Sequence, residues 1–323
     1  MAKLQSTEIV GVANRPATIC SNTMCIWFDT TNLKTVISYC GYGAGTWSTG
    51  GALITGRRLL AGAGSQNEGL VTGGITNVDV SCTEEYNGTS WSAGGALIVT
   101  RRQLGGTGTQ NVGLVVGSYL PSTCTEEYNG TSWSVGGALI RGVADMGLGG
   151  TQNEGLSAGG RTNSNLGLGV SCTEEYNGTS WSVGGALITA RLGLSGAGSQ
   201  NQGIGIGGST NSSSPFVVLC TEEYNGTSWS AGGTLITARW FSSGLGTQNE
   251  ALNAGGQSSV NLACTEEYNG ASWSAGGALS IGRYGLAGAG TQGAGLAAGG
   301  FSNANVTCTE EYNKALAIVD SIQ

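Results

Sequence analysis

Paired glutamates, single arginines and single tryptophans recur along this chain in a pattern that could do chemistry. The pairs are Glu84-Glu85, Glu126-Glu127, Glu174-Glu175, Glu222-Glu223, Glu266-Glu267 and Glu310-Glu311. Neighbouring carboxylates invite an acid–base or a calcium reading. In a strand, however, adjacent side chains point to opposite faces, so neither pair member can help the other hold one ion. One Glu of each pair is instead expected to meet a recurrent arginine (Arg57, Arg101, Arg191, Arg239, Arg283), with the other turned to solvent or backbone amides. An unpaired buried charge would be too costly. The third unit has Val143 at the arginine position and Arg141 two residues earlier, so the pairing is least secure there. The tryptophans Trp91, Trp133, Trp181, Trp229 and Trp273, each following a tyrosine (Tyr86, Tyr128, Tyr176, Tyr224, Tyr268), could stack sugars. One per repeat is better read as packing between repeats. Trp240, beside Phe241, occurs in a single unit and is read as a ligand-contacting aromatic or as local packing.

Other chemistries lack their residues. The chain has no histidine, which removes the usual general base, the Ser–His–Asp arrangement and the commonest metal ligand. Seven of the nine cysteines (Cys40, Cys82, Cys124, Cys172, Cys220, Cys264, Cys308) share one repeat position. That spreads them too widely for disulfides or for a zinc cluster, so they read as small buried apolar residues. Only Cys20 and Cys25 are close enough in sequence to pair. No cofactor, no metal and no enzymatic activity are expected. A net charge of −7 without a basic stripe argues against nucleic acid. No apolar run is long enough to span a membrane, and the first residues lack the apolar core of a signal peptide.

These residues must be positioned by a repeat. The stretch Cys82-Thr-Glu-Glu-Tyr-Asn-Gly-Thr-Ser-Trp91 returns almost unchanged, and the shared cysteines are spaced 42, 42, 48, 48, 44 and 44 residues apart. Self-similarity at such a period signals a repeat architecture, and the spacing suits four strands per unit. The first strand is expected over Leu59–Ser65 and its equivalents, followed by a Gln-Asn turn. The second runs into Gly73-Gly74, the third is Cys-Thr-Glu-Glu-Tyr, and the fourth carries the Trp. The Asn-Gly step between third and fourth reads as a type I′ hairpin. Before the repeats, Ile26-Trp27-Phe28-Asp29-Thr30-Thr31-Asn32 and Leu33–Tyr39 read as a β-hairpin.

An Arg before the first strand, Gly-Gly closing the second, Tyr in the third and Trp in the fourth together resemble the kelch repeat. Six copies cover about residues 44–312. The resemblance implies an all-β, six-bladed propeller, with seven blades as the alternative. The chain then divides into an arm and hairpin (1–43), the propeller (44–312) and a tail or closing strand (313–323). Either the strand around Trp47 closes the last blade and leaves a free C-terminal tail, or Ala315–Val319 closes it.

In such a blade the variable connections share one face. From the last Gly to the Cys is 12 residues in the third and fourth units, against 7 or 8 elsewhere. Variable loops on a rigid scaffold are where recognition concentrates. The candidate ligand or partner face is therefore Arg161, Asn163, Asn165, Asn211, Ser212 and Phe216, with Trp240 and Phe241. The "IWFDTTN" opening resembles a segment of phage tail and fibre proteins, and with the kelch-like repeats it resembles virion proteins of aquatic bacteriophages. The resemblance implies a non-enzymatic tail, fibre or decoration component, located in the virion and partnered by other virion subunits or by itself. A carbohydrate-binding adhesin, with a host-surface glycan as partner, is the alternative.

Overall fold

The computed structural model describes residues 24–29, 34–42, 44–162, 167–211, 216–314 and 316–322. The chain forms two compact units, one of residues 46–313 and one joining residues 1–45 to 314–323. The larger is a six-bladed β-propeller of four-stranded antiparallel blades. In the first blade the strands, from the axis outwards, are Ala61–Gly64, Gly69–Thr72, Thr83–Tyr86 and Trp91–Ala93.

Each innermost strand packs against those of both neighbouring blades, so six backbones converge on the axis. That crowding explains the Ala-Gly-Ala-Gly composition. A Cβ on Gly62 would stand 2.5 Å from the Gly288 carbonyl oxygen, and one on Gly196 would stand 2.6 Å from the Leu148 nitrogen. The expected first strand, Leu59–Ser65, is in fact paired only over Ala61–Gly64. Its flanking residues turn away to make the connections at the two ends. The second strand is buried along its whole length; the outer strand buries only its Trp.

The ring closes through the N-terminal part of the chain. Thr46–Thr49 is the outer strand of the sixth blade, beside Thr309–Asn313, with Trp47 opposite Tyr312. Closure by Ala315–Val319 and the seventh blade are both overturned. Residues Leu316–Ile322 are not a free tail either: they pair with Lys34–Tyr42, which pairs in turn with Met24–Asp29, in a separate three-stranded antiparallel sheet. The hairpin read at the N-terminus is therefore present. Cys40 lies in this sheet and not at a blade position, so six cysteines share the repeat site. Those six are half-buried rather than buried, and all are free. Cys20 falls outside the described residues.

Each blade is joined to the previous one by the same three side-chain links. The Trp91 indole donates to Thr309 Oγ1 (2.9 Å) and the Trp133 indole to Thr83 Oγ1 (3.0 Å), and so on until Trp47 reaches Thr265. The tyrosine hydroxyls donate to the second Glu of the preceding blade: Tyr86 to Glu311 at 2.6 Å, Tyr128 to Glu85 at 2.5 Å, and round to Tyr312 and Glu267. This second Glu was expected to face solvent or amides; its partner is a phenol, which in this fold comes from the next blade. The Gln of each turn after the innermost strand (Gln-Asn in five units, Gln292-Gly293 in the sixth) donates to two carbonyls of the preceding blade, as Gln110 does to Gly69 (3.0 Å) and Tyr86 (2.7 Å). Six blades joined head to tail close each set into a ring.

The Asn-Gly step is not a type I′ turn, because Asn87 keeps negative φ and only Gly88 is left-handed (φ 85). Asn87 Oδ1 accepts the amides of Thr89 (3.0 Å) and Ser90 (2.9 Å), an Asx cap on a four-residue loop.

Burial, and then the hydrogen bond to Glu, raise the pKa of Tyr86, Tyr128, Tyr176 and Tyr268 above the ordinary 10.0, and that of Tyr224 to about 12. The unfolded chain releases these protons from about pH 10, while the folded protein keeps them. Their contribution is therefore full below pH 10 and is lost as pH rises through the raised folded-state values, about 12 for Tyr224. An absorbance titration of tyrosinate should show these tyrosines ionising together with unfolding. Ionisation near pH 10 with the fold intact would contradict the inter-blade link.

Candidate functional site

The residues that differ between blades gather at one end of the axis. The buried arginine of each unit, Val143 in the third, is followed by three residues before the innermost strand begins. At the second of these the backbone is left-handed in every blade: Leu59 (φ 56), Gln103 (57), Asp145 (59), Gly193 (62), Phe241 (50) and Gly285 (62). The N–H of each donates to the carbonyl of its counterpart in the preceding blade, from Leu59 to Gly285 (2.7 Å) through to Gly285 to Phe241 (2.8 Å). Six backbone hydrogen bonds thus encircle the axis. Two blades use glycine, for which the conformation costs least. Four do not, and non-glycine residues held this way store on the order of 1–3 kcal/mol each, a pattern that clusters at binding sites.

Above this ring lies a cavity of about 330 Å³. One side is aromatic, with Trp240, Phe241 and Tyr284. The Trp240 and Phe241 ring centroids are 4.6 Å apart, and Phe241 and Tyr284 are 6.4 Å apart. Arg58, Arg102, Tyr119 and Gln103 also line it, as does Gln257, which is paired with Trp240 through backbone hydrogen bonds of 3.1 and 2.9 Å. Arg58 donates to Asn305 Oδ1 at 2.8 Å and lies 4.6 Å from the centre of the Phe301 ring. Arg102 stacks on Tyr119 at 3.7 Å and pairs with Asp79 at 2.7 Å. Among the described residues no carboxylate lines the cavity.

Arg161 stands just outside the lining, 5.0 Å from the centre of the Tyr119 ring, and pairs with Asp145 at 2.6 Å. Burial pushes the Asp145 carboxyl from 3.8 up to about 6, against the lowering exerted by the Arg161 guanidinium and the Gln103 amide. Between these values the folded protein holds a proton that the unfolded chain has lost. This group therefore adds stability as pH falls through 6, with the gain complete near 3.8. Melting temperatures at about pH 5 and about pH 8 should differ less in Asp145→Asn than in the wild type. An unaltered pH dependence would contradict the assignment.

The glutamate pairs are structural, as expected. Arg101 meets Glu126 at 2.7 Å and Arg191 meets Glu222 at 3.0 Å; Arg57–Glu84, Arg239–Glu266 and Arg283–Glu310 repeat the contact. Burial lowers the pKa of Arg101 and Arg191. In the third blade Glu174 accepts only backbone amides among the described residues, those of Ile140 (2.7 Å) and Arg141 (3.0 Å). The repeat tryptophans are buried between blades, each beside its own tyrosine, so they offer no sugar platform.

Of the residues expected on the candidate face, Trp240 and Phe241 line the cavity and Arg161 adjoins it. Asn211 and Phe216 do not line it. The two long loops instead meet each other, with Leu168 bridging to Asn211 and the Gly169 N–H donating to the Thr210 carbonyl at 3.1 Å. Asn163, Asn165 and Ser212 lie outside the described residues. Sequence reasoning missed Arg58, Arg102, Gln103, Tyr119, Gln257 and Tyr284. Their signal was variation at a fixed register inside otherwise uniform repeats. No helix among the described residues is long and apolar enough to cross a membrane. No protein-family model matches the chain, and no curated protein matches its sequence.

Proposed function

We propose that this protein is a non-enzymatic structural and interaction protein of a phage-type virion, a tail, fibre or decoration component whose propeller serves as a docking scaffold. The reading rests on the resemblance of its repeats to kelch repeats and of its opening segment to phage tail and fibre proteins. One observation carries the assembly role. The three-stranded sheet has Lys34–Tyr42 at its centre, so among the described residues Met24–Asp29 and Leu316–Ile322 are both edge strands. Edge strands with unpaired backbone groups recruit strands from other chains. The small sheet is thus the assembly unit, joining copies or neighbouring virion subunits. Removal of residues 1–33, which takes away the outer hairpin strand, should reduce multi-copy protein to monomer on gel filtration while the propeller melts as before. Unchanged assembly would refute the role.

A second reading, a carbohydrate-binding adhesin or receptor-binding module, is favoured by the aromatic and arginine-lined cavity at the axial mouth. The two readings are compatible in one particle: the small sheet attaches and the mouth recognises.

A further inference from the structure

We propose that the axial mouth binds a short saccharide bearing a carboxylate, such as a uronic or nonulosonic acid. The inference rests on the receptor-binding reading and goes beyond it by naming the ligand class. The volume, about 330 Å³, falls at the small end of the roughly 300–1,000 Å³ usual for small-molecule pockets. It accommodates a compact ring rather than an extended peptide.

Trp240 and Tyr284 are only partly buried and line the same cavity. Flat aromatic faces of this kind accept the C–H face of a pyranose, while the amides of Gln103 and Gln257 suit its hydroxyls. The charge pattern selects an acid. Arg102 and Arg161 each have a carboxylate partner, Asp79 and Asp145. Arg58 is held by an amide oxygen and a phenyl ring, and forms no ion pair among the described residues. Among the described residues one guanidinium without an ion-pair partner thus remains at the edge of a cavity with no carboxylate in its lining, in a protein of net charge −7. A guanidinium matches a carboxylate in bidentate geometry.

The left-handed backbone supports a binding role independently. Phe241 and Gln103 take up a conformation that glycine fills at the same position in the fourth and sixth blades. Their side chains are therefore retained against a local cost, and both line the cavity.

The test uses full-length protein and two probes, an oligogalacturonate of two or three residues and its carboxyl-reduced counterpart, with binding followed by calorimetry. The acid should bind, and the reduced sugar at least about tenfold more weakly. Arg58→Gln should remove that preference, Trp240→Ala should weaken both probes, and Val183→Ser, on the exposed outer strand, should change neither. Equal binding of the two sugars, unaffected by Arg58→Gln, would overturn the proposal while leaving the receptor-binding reading in place. So would binding of an acidic peptide at the mouth with neither sugar bound. No binding of either sugar or peptide would overturn both the proposal and the receptor-binding reading, leaving the assembly role to be judged on the small sheet.

Discussion

Replacing Arg239 with alanine should cost about 3–5 kcal/mol of stability, the range for removing one partner of a buried ion pair. Arg239 is fully buried and Glu266 nearly so. Besides the carboxylate, the guanidinium donates to the carbonyls of Gly255 (3.0 Å) and Cys264 (2.8 Å), which tie the second strand of the blade to the third. Its loss would leave Glu266 with only the amides of Ile236 (2.7 Å) and Thr237 (3.1 Å). Arg102→Ala, at a pair whose side chains are 21% and 31% exposed, should cost no more than about 1 kcal/mol. Adding Glu266→Gln to the Arg239→Ala protein should recover part of the loss, since the stranded charge disappears. Denaturant unfolding of the four proteins measures all of this. The third blade sets the counter-case, because Glu174 stays buried with two amides and Val143 in the arginine's place. A cost below about 1 kcal/mol for Arg239→Ala would show that two amides suffice everywhere.

Trp133→Ala should have an effect of similar size, about 3–5 kcal/mol, the usual range for emptying a buried tryptophan site. Trp133 is only 6% exposed and packs with Leu70 of the first blade and Val115 and Tyr128 of its own. Its removal also leaves Thr83 Oγ1 without the indole N–H. The cavity therefore opens at a joint between blades, where both neighbours lose contacts. Trp47→Ala in the closing strand should cost less, because Trp47 is only partly buried, though it keeps the bond to Thr265. Thermal melts of the two variants should rank in that order. A Trp133→Ala protein within about 1 kcal/mol of wild type would contradict the inter-blade packing.

The repeat residues made the fold legible because they are the ones that build it. Tyr86, Trp91, Glu84 and Arg57 recur since each meets a partner that recurs with it. The arginine partner follows from the cost of burying a charge, whereas the tyrosine partner of Glu85 does not, because it needs the neighbouring blade in place. Ring closure was ambiguous for a similar reason: Cys40-Gly-Tyr-Gly-Ala-Gly-Thr-Trp47 looks like a degenerate third-to-fourth strand unit, but only Trp47 belongs to a blade. The mouth was half legible. Trp240 and Phe241 stood out as aromatics in one unit only. Arg58 and Arg102 were visible as doubled arginines, yet their role depends on a left-handed turn that sends the residue beside each buried arginine to the axis. Loop length pointed to the third and fourth units, but those loops pair with each other, and the cavity draws on the shorter connections around them.

The most direct test of the assembly claim is the mass and shape of the purified full-length protein, from light scattering and negative-stain images. The account predicts multi-copy particles joined through the small sheets, with intact six-bladed rings visible in them. A monomer at every concentration, or particles joined through the propellers, would contradict it.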